Sequence, residues 1–185
     1  MTNIVAFSTK TRTHAATAIA AAAGLMLTAL VASAHDSLVH KVRAATSQYM
    51  DVNVPLHNGE GWVVGTPCVS GPDFGAMGVH LVNPARIDGV VDVNAPEALI
   101  YEPRPDGAMR FVGVEYIVIA SAWATLHPDG STPALEGNLM NYVAAPNRYG
   151  LPAFYEIHVW AWQDNPKGTL ADWNTQVSCD HQPAP

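Results

Sequence analysis

The stretch EALIYEPRPDGAMRFVGVEYIVIA, residues 97–120, decides the fold class of this chain. Two runs rich in Val, Ile, Leu and Tyr, at 97–103 and 109–120, flank the segment Pro105-Asp106-Gly107. Aliphatic β-branched and aromatic residues favour strands, and Pro-Asp-Gly favours a tight reversal of the chain. The stretch therefore predicts a β-hairpin whose second arm is the longest strand of the protein.

Two further runs predict strands that join this hairpin in one sheet. They are MGVHLVN at 77–83 and FYEIHVWAW at 154–162. The Gly- and Pro-rich stretch GTPCVSGPDFGAMG at 65–78 predicts an ordered loop, and the polar segment 121–150 predicts a long connection.

Residues 36–50 repeat apolar side chains at helical spacing, which predicts one amphipathic helix, and VPLHNGEGW at 54–62 predicts a further helical turn. No strand–helix–strand alternation appears, which argues against a parallel doubly wound sheet. The predicted fold class is α+β: an N-terminal helix packed on a curved antiparallel sheet, with a partly closed barrel as an open alternative.

The N-terminus predicts a signal peptide over residues 1–34. Two basic residues precede the apolar run AATAIAAAAGLMLTALVASA, which places Ala32 and Ala34 where signal peptidase favours small side chains. A retained transmembrane anchor is the alternative, because the run approaches the ~20 residues that a span needs. Cleavage after Ala34 is the preferred interpretation. It makes 35–185 a single globular domain, periplasmic or secreted, with no stable membrane anchor after processing.

The charge of the processed chain limits its partners. The whole chain has 9 Lys and Arg residues against 16 Asp and Glu residues, and the predicted signal peptide contains Lys10 and Arg12 but no acid. Seven basic residues would remain, for a net charge of −9. Such a surface repels nucleic acid and anionic lipid, so neither is an expected partner.

Cys68 and Cys179 are the two cysteines of the chain. In an oxidising compartment, an even pair predicts a disulfide bond. This bond would connect the Gly- and Pro-rich stretch to the C-terminal tail, with Cα atoms about 5–6 Å apart.

The run FYEIHVWAW places unusual residues on one face of a strand. A period of two puts Phe154, Glu156, His158, Trp160 and Trp162 on the same side. A solvent face would not need three large aromatic side chains, and an ordinary core would not hold an acid beside an imidazole. This face therefore predicts the wall of a pocket.

Each of three central strands carries an ionisable residue among apolar neighbours: His80, Glu115 and His158. A buried carboxylate is costly unless it is paired, protonated or bound to a metal. Two imidazoles and a carboxylate form the ligand set of many zinc sites and of the non-haem iron triad. The sequence predicts a site for a divalent metal ion (Zn, Fe or Cu), with Glu156 as a fourth ligand or general base.

Two alternatives of other classes stay open. One is a non-catalytic module that binds a small molecule between Phe154, Trp160, Trp162 and Tyr116, with the polar groups orienting it. The other is a structural exported protein in which the polar groups satisfy each other. The sequence does not decide whether the protein is an enzyme.

Three segments resemble one family of small exported bacterial proteins of unknown function. They are CVSGPDFGAMGVHLVNP, EALIYEPRPDGAMRFVGVEYIV and YEIHVWAWQDNPKGTLADWNTQVSC. The similarity extends over roughly residues 37–180. It implies one intact exported domain and carries no established activity.

Overall fold

The computed structural model describes residues 37–182, so the predicted signal peptide lies outside the described range. Helix α1 spans 37–46 and runs into a 3-10 turn at Ser47–Met50. Two short helices follow, α2 at Asn53–His57 and α3 at Ala120–Leu126. No helix within 37–182 is long and apolar enough to cross a membrane.

Six strands form a curled antiparallel half-barrel in the order β1-β2-β3-β4-β8-β7. Their bounds are Val63–Gly71 for β1, Gly75–Val82 for β2, Ala98–Pro103 for β3, Met109–Ile119 for β4, Asn141–Val143 for β7 and Phe154–Val159 for β8. A separate two-stranded ribbon pairs β5, Ala134–Leu135, with β6, Asn138–Leu139. The predicted hairpin at 97–120 is confirmed as β3–β4, and the α+β class with a curved antiparallel sheet is confirmed.

The prediction of a loop at 65–78 is wrong, because β1 and the start of β2 occupy it. Gly65, Pro67 and Gly71 made β1 resemble a loop. β1 is an edge strand, and its pairing with β2 is interrupted by register shifts. Edge strands with bulges tolerate Pro and Gly, because a missing ladder hydrogen bond costs little there.

The alternation of faces along β4 is interrupted near its start. Ile100 faces Gly113 but Tyr101 faces Phe111, so Val112 is an extra residue in β4. Phe111 consequently packs in the largest hydrophobic cluster, whereas Val112 packs in a different one. A β-bulge changes the face of every residue on one side of it, and sequence alternation cannot reveal this.

The predicted strand 154–162 ends early, at Val159. The next N–H, of Trp160, donates to Thr169 O instead of continuing the ladder. Trp162 therefore leaves the face of His158 and lies against Phe111, with ring centroids 6.0 Å apart. The prediction that Trp162 shares the pocket wall is wrong for this reason.

A disulfide joins Cys68 of β1 to Cys179, with Cα atoms 5.6 Å apart, which confirms the predicted pairing. The C-terminal segment is also held by paired backbone hydrogen bonds between Ala76 and Asn174. The disulfide thereby fixes edge strand β1 to the C-terminal tail. This stabilises β1, which lies beside His80 of β2.

Candidate metal centre

The sheet brings His80, Glu115 and His158 together. They belong to β2, β4 and β8, and their exposed fractions are 0%, 1% and 0%. One potential ligand atom from each lies within 4.8 Å of the others. His80 Nε2 lies 3.4 Å from Glu115 Oε2. The structure thus assembles the three predicted residues into one buried group.

The register of the sheet explains this convergence. Glu115 lies directly opposite His158 on the neighbouring strand. On its other side it lies opposite Ala98 of β3, whose methyl group is fully buried. Directly opposed residues on one face bring their Cβ atoms within about 5 Å. The small Ala98 leaves room for the longer side chains of Glu115 and His80 to meet across β3.

Four buried polar atoms in this group have no hydrogen-bond partner among residues 37–182. They are Nε2 of His80, Nε2 of His158 and both carboxylate oxygens of Glu115. Buried polar atoms are nearly always satisfied, because each unpaired one costs about 1–3 kcal/mol. All four belong to the same three side chains.

The other nitrogen of each imidazole is engaged. His158 Nδ1 donates to Glu156 Oε2 at 3.0 Å. His80 Nδ1 and Thr66 Oγ1 form a hydrogen bond of 3.1 Å. When Nδ1 carries the proton, Nε2 presents a lone pair. Metal-binding histidines are usually oriented in this way, by a carboxylate or another acceptor on the far nitrogen.

The charges of the group depend on one another. Burial lowers the pKa of His80 to about 3, and the nearby His158 charge adds to this effect. Burial raises the pKa of Glu115 to about 7, against the attraction of His158. Burial opposes the charge of His158, but Glu115 and Glu156 outweigh it and raise its pKa to about 9. The group therefore favours one positive charge, on His158, and keeps His80 neutral, as a ligand must be. A metal ion that binds His158 would displace the proton on its Nε2.

A second set of ligand atoms adjoins the first. Glu156, His158 and Asp172 also have potential ligand atoms within 4.8 Å of one another. Burial raises the pKa of the Asp172 carboxyl, and Glu156 adds to this. Glu156 and Asp172 line a cavity of about 310 Å³ together with Arg148. This side of the group is polar.

Aromatic side chains surround the group. The Tyr149 ring meets the His80 ring edge-on, with centroids 6.1 Å apart, and meets Phe154 at 5.7 Å. Trp160 stacks beside His158 at 6.1 Å. Phe154 and Trp160 thus lie on the face that the sequence predicted for them.

Tyr116, also predicted as a ligand-binding residue, lies elsewhere. It is packed in the largest hydrophobic cluster with Tyr101, and its hydroxyl donates to Val93 O at 2.7 Å. Its odd-numbered neighbour Glu115 points to the opposite side of β4, as the two-residue period requires. Tyr116 and Trp162 are therefore not brought together with Phe154 and Trp160.

Sequence reasoning missed three residues of the site: Thr66, Tyr149 and Asp172. Thr66 lies in a stretch whose composition resembles a loop, and the other two lie in irregular segments. Asn174, two residues after Asp172, is fully buried, but no periodic signal in the sequence marks that segment. The positions of all three depend on tertiary contacts.

No family model matches the chain, and no significant match was found among curated proteins or solved structures. The resemblance to small exported bacterial proteins therefore stays a prediction.

Proposed function

We propose that this protein is an exported domain that binds one divalent transition metal ion through Nε2 of His80, Nε2 of His158 and the carboxylate of Glu115. The observation that carries the proposal is the coincidence of the four unpartnered buried atoms with the three potential ligands. The disulfide supports an oxidising compartment, periplasmic or extracellular.

The donor set fits such an ion. Ligand atoms that share an ion at about 2.0–2.2 Å lie no more than roughly 4.4 Å apart. The observed spread, within 4.8 Å, requires only a small closure of the side chains. Ionised Glu115 and Glu156 would balance the two positive charges of the metal. Imidazole and carboxylate ligands suit Zn²⁺, Fe²⁺ and Cu²⁺.

Three protein ligands leave coordination positions open. This is the arrangement of metal sites that accept a further small ligand, whereas structural zinc sites are closed by four side chains. Glu156 is the orienting residue for His158, and it serves in the proposal as the base beside the metal rather than as a direct ligand.

The packing on the opposite face of the sheet supports a ligand site on the face that carries His80, Glu115 and His158. Leu38 and Val42 of α1 are buried in the same hydrophobic cluster as Tyr101 and Tyr116. We infer that α1 packs on that face and closes it, as the sequence predicted. The polar group on the other face is then the one that remains for a ligand.

A polar core satisfied by its own hydrogen bonds is the competing account. It requires partners for Glu115, and neither carboxylate oxygen has one among residues 37–182. The His80–Glu115 approach of 3.4 Å does not form a hydrogen bond. A bound metal ion would satisfy both imidazole nitrogens and one carboxylate oxygen at once, which the competing account does not.

Elemental analysis of protein purified from an exported fraction tests the proposal. The expected result is close to one equivalent of a transition metal per chain. His158→Ala and His80→Ala should each lose it, and His40→Ala, at an exposed position of α1, should keep it. Circular dichroism should show all three variants folded.

Wild-type protein that carries no metal, and gains no thermal stability from added Zn²⁺, Fe²⁺ or Cu²⁺, would contradict the proposal. Equal metal content in His158→Ala and His40→Ala would contradict the assignment of the ligands.

A further inference from the structure

We infer that the cavity beside Glu115 binds a small neutral molecule with an apolar body and one hydroxyl group, and that the hydroxyl lies at Glu115 next to the metal. The inference rests on the proposed metal site for the position of the hydroxyl. It goes further by assigning the chemical class of the additional ligand.

The cavity has a volume of about 220 Å³, and within residues 37–182 Tyr149 is the one lining residue that it shares with the polar cavity at Glu156. Most of its wall is aliphatic. Its lining includes Val63, Val82, Ile87, Ile117 and Leu151. A space of this size is smaller than the ~300 Å³ at which sites for drug-sized ligands begin, so it suits a molecule of one ring or a short chain.

Two of the residues that line the cavity, Glu115 and Tyr149, have polar side chains. Glu115 is 1% exposed and has two oxygens without a hydrogen-bond partner among the described residues. If one oxygen binds the metal, the other can still accept a hydrogen bond. A ligand that supplies a donor at this point would remove the cost of a buried unpaired acceptor.

The wall also excludes other ligand classes. Within the described part of the chain, no Lys, Arg or His lines this cavity. An anion would therefore meet the Glu115 carboxylate without a compensating side chain. A hydrocarbon would leave Glu115 unsatisfied. A hydroxyl meets both requirements, because it donates its proton to Glu115 and its oxygen retains lone pairs for the metal.

Val63 lines the cavity and is also exposed to solvent. It lies at the start of edge strand β1 and is 49% exposed. Its neighbour Val64 is 62% exposed but does not line the cavity, as expected for successive residues of a strand. The pair offers a blocking variant, Val63→Trp, and a matched control, Val64→Trp, both at exposed positions where folding tolerates change.

Fluorine NMR with 4-fluorobenzyl alcohol tests the inference on zinc-loaded protein. The expected result is saturable binding that Val63→Trp weakens at least tenfold and Val64→Trp leaves unchanged, with metal content equal in all three proteins. The probe 4-fluorotoluene, which lacks the donor, and the anion 4-fluorobenzoate should bind at least tenfold more weakly. In cobalt-loaded protein, the signal of the bound alcohol should broaden because the probe lies beside a paramagnetic ion.

Equal binding by Val63→Trp and wild type would overturn the inference, and so would equal binding of 4-fluorotoluene and the alcohol. Metal-loaded protein that does not bind the alcohol would overturn it while leaving the metal proposal intact. Alcohol binding that depends on Val63 but is equally strong with and without metal would support the cavity assignment and overturn the placement of the hydroxyl next to the metal.

Discussion

Glu156 accepts a hydrogen bond of 3.0 Å from Nδ1 of His158, two residues along the same strand. Both side chains are buried, with exposed fractions of 5% and 0%. The carboxylate holds a proton on Nδ1 and so orients Nε2, the nitrogen proposed to bind the metal, toward Glu115 and His80. The Glu156–His158 pair, which resembles an internal ion pair, thus also fixes the orientation of the imidazole ring.

Replacing Glu156 by Gln should weaken metal binding without removing a ligand. The amide keeps the size of the side chain but loses the charge that orients His158. Loss of such a partner typically costs 10–100-fold in metal affinity. Competition with a chromogenic chelator would measure the change. Glu136→Gln, at an exposed position, should bind metal as wild type does. Unchanged affinity in Glu156→Gln would contradict the orienting role.

The double variant Cys68→Ala/Cys179→Ala should be less stable than wild type. The bond closes a loop of 111 residues and holds β1 against the C-terminal tail. Loss of a native disulfide typically lowers the free energy of unfolding by about 2–5 kcal/mol. Urea denaturation would measure the change. Reductant should lower the stability of wild type and leave the double variant unaffected. Equal stability of wild type and the double variant in the absence of reductant would refute a stabilising role.

Glu97 should make the protein less stable as the pH rises. It is 3% exposed, and its Oε2 accepts a hydrogen bond of 2.8 Å from the N–H of Ile117. Burial raises the pKa of Glu97 from 4.5 to about 8. The folded state therefore holds a proton that the unfolded state has released. The associated stability is complete below pH 4.5 and is lost as the pH rises toward about 8.

Glu97→Gln isolates this effect, because glutamine stays neutral and can still accept the hydrogen bond from Ile117. Each pKa unit corresponds to about 1.4 kcal/mol, so a loss of several kcal/mol between about pH 5 and 8 is expected for wild type. The difference from Glu97→Gln cancels contributions of all other groups. Urea denaturation at a series of pH values should show that the free energy of unfolding of the variant increases relative to that of wild type as the pH rises. A difference in the free energy of unfolding that does not change with pH would contradict the prediction.

The alternation of the strands was enough to predict which ionisable residues would meet. His80, Glu115 and His158 each lie in the middle of an apolar run, and burial on one face of a sheet leaves such residues few places to point. Whether they bind a metal stays a prediction. Alternation failed at Phe111 and Trp162, because a bulge and an early strand end are set by tertiary contacts.

The remaining parts of the site had no periodic signal to reveal them. Thr66 lies on an edge strand that contains Pro and Gly, so its composition resembles a loop. Tyr149 reaches His80 from an irregular segment between β7 and β8. The path of such a segment depends on the surface beneath it, which exists only after the sheet has formed.

X-ray absorption spectroscopy of zinc-loaded protein tests whether His80, Glu115 and His158 bind a metal ion. We predict nitrogen and oxygen scatterers at about 2.0–2.2 Å, with the outer-shell pattern of two imidazole rings. Any metal retained by His158→Ala should show one ring fewer. A shell of oxygen scatterers without imidazole, or wild-type protein that retains no zinc after dialysis, would contradict the claim that His80, Glu115 and His158 form a metal site.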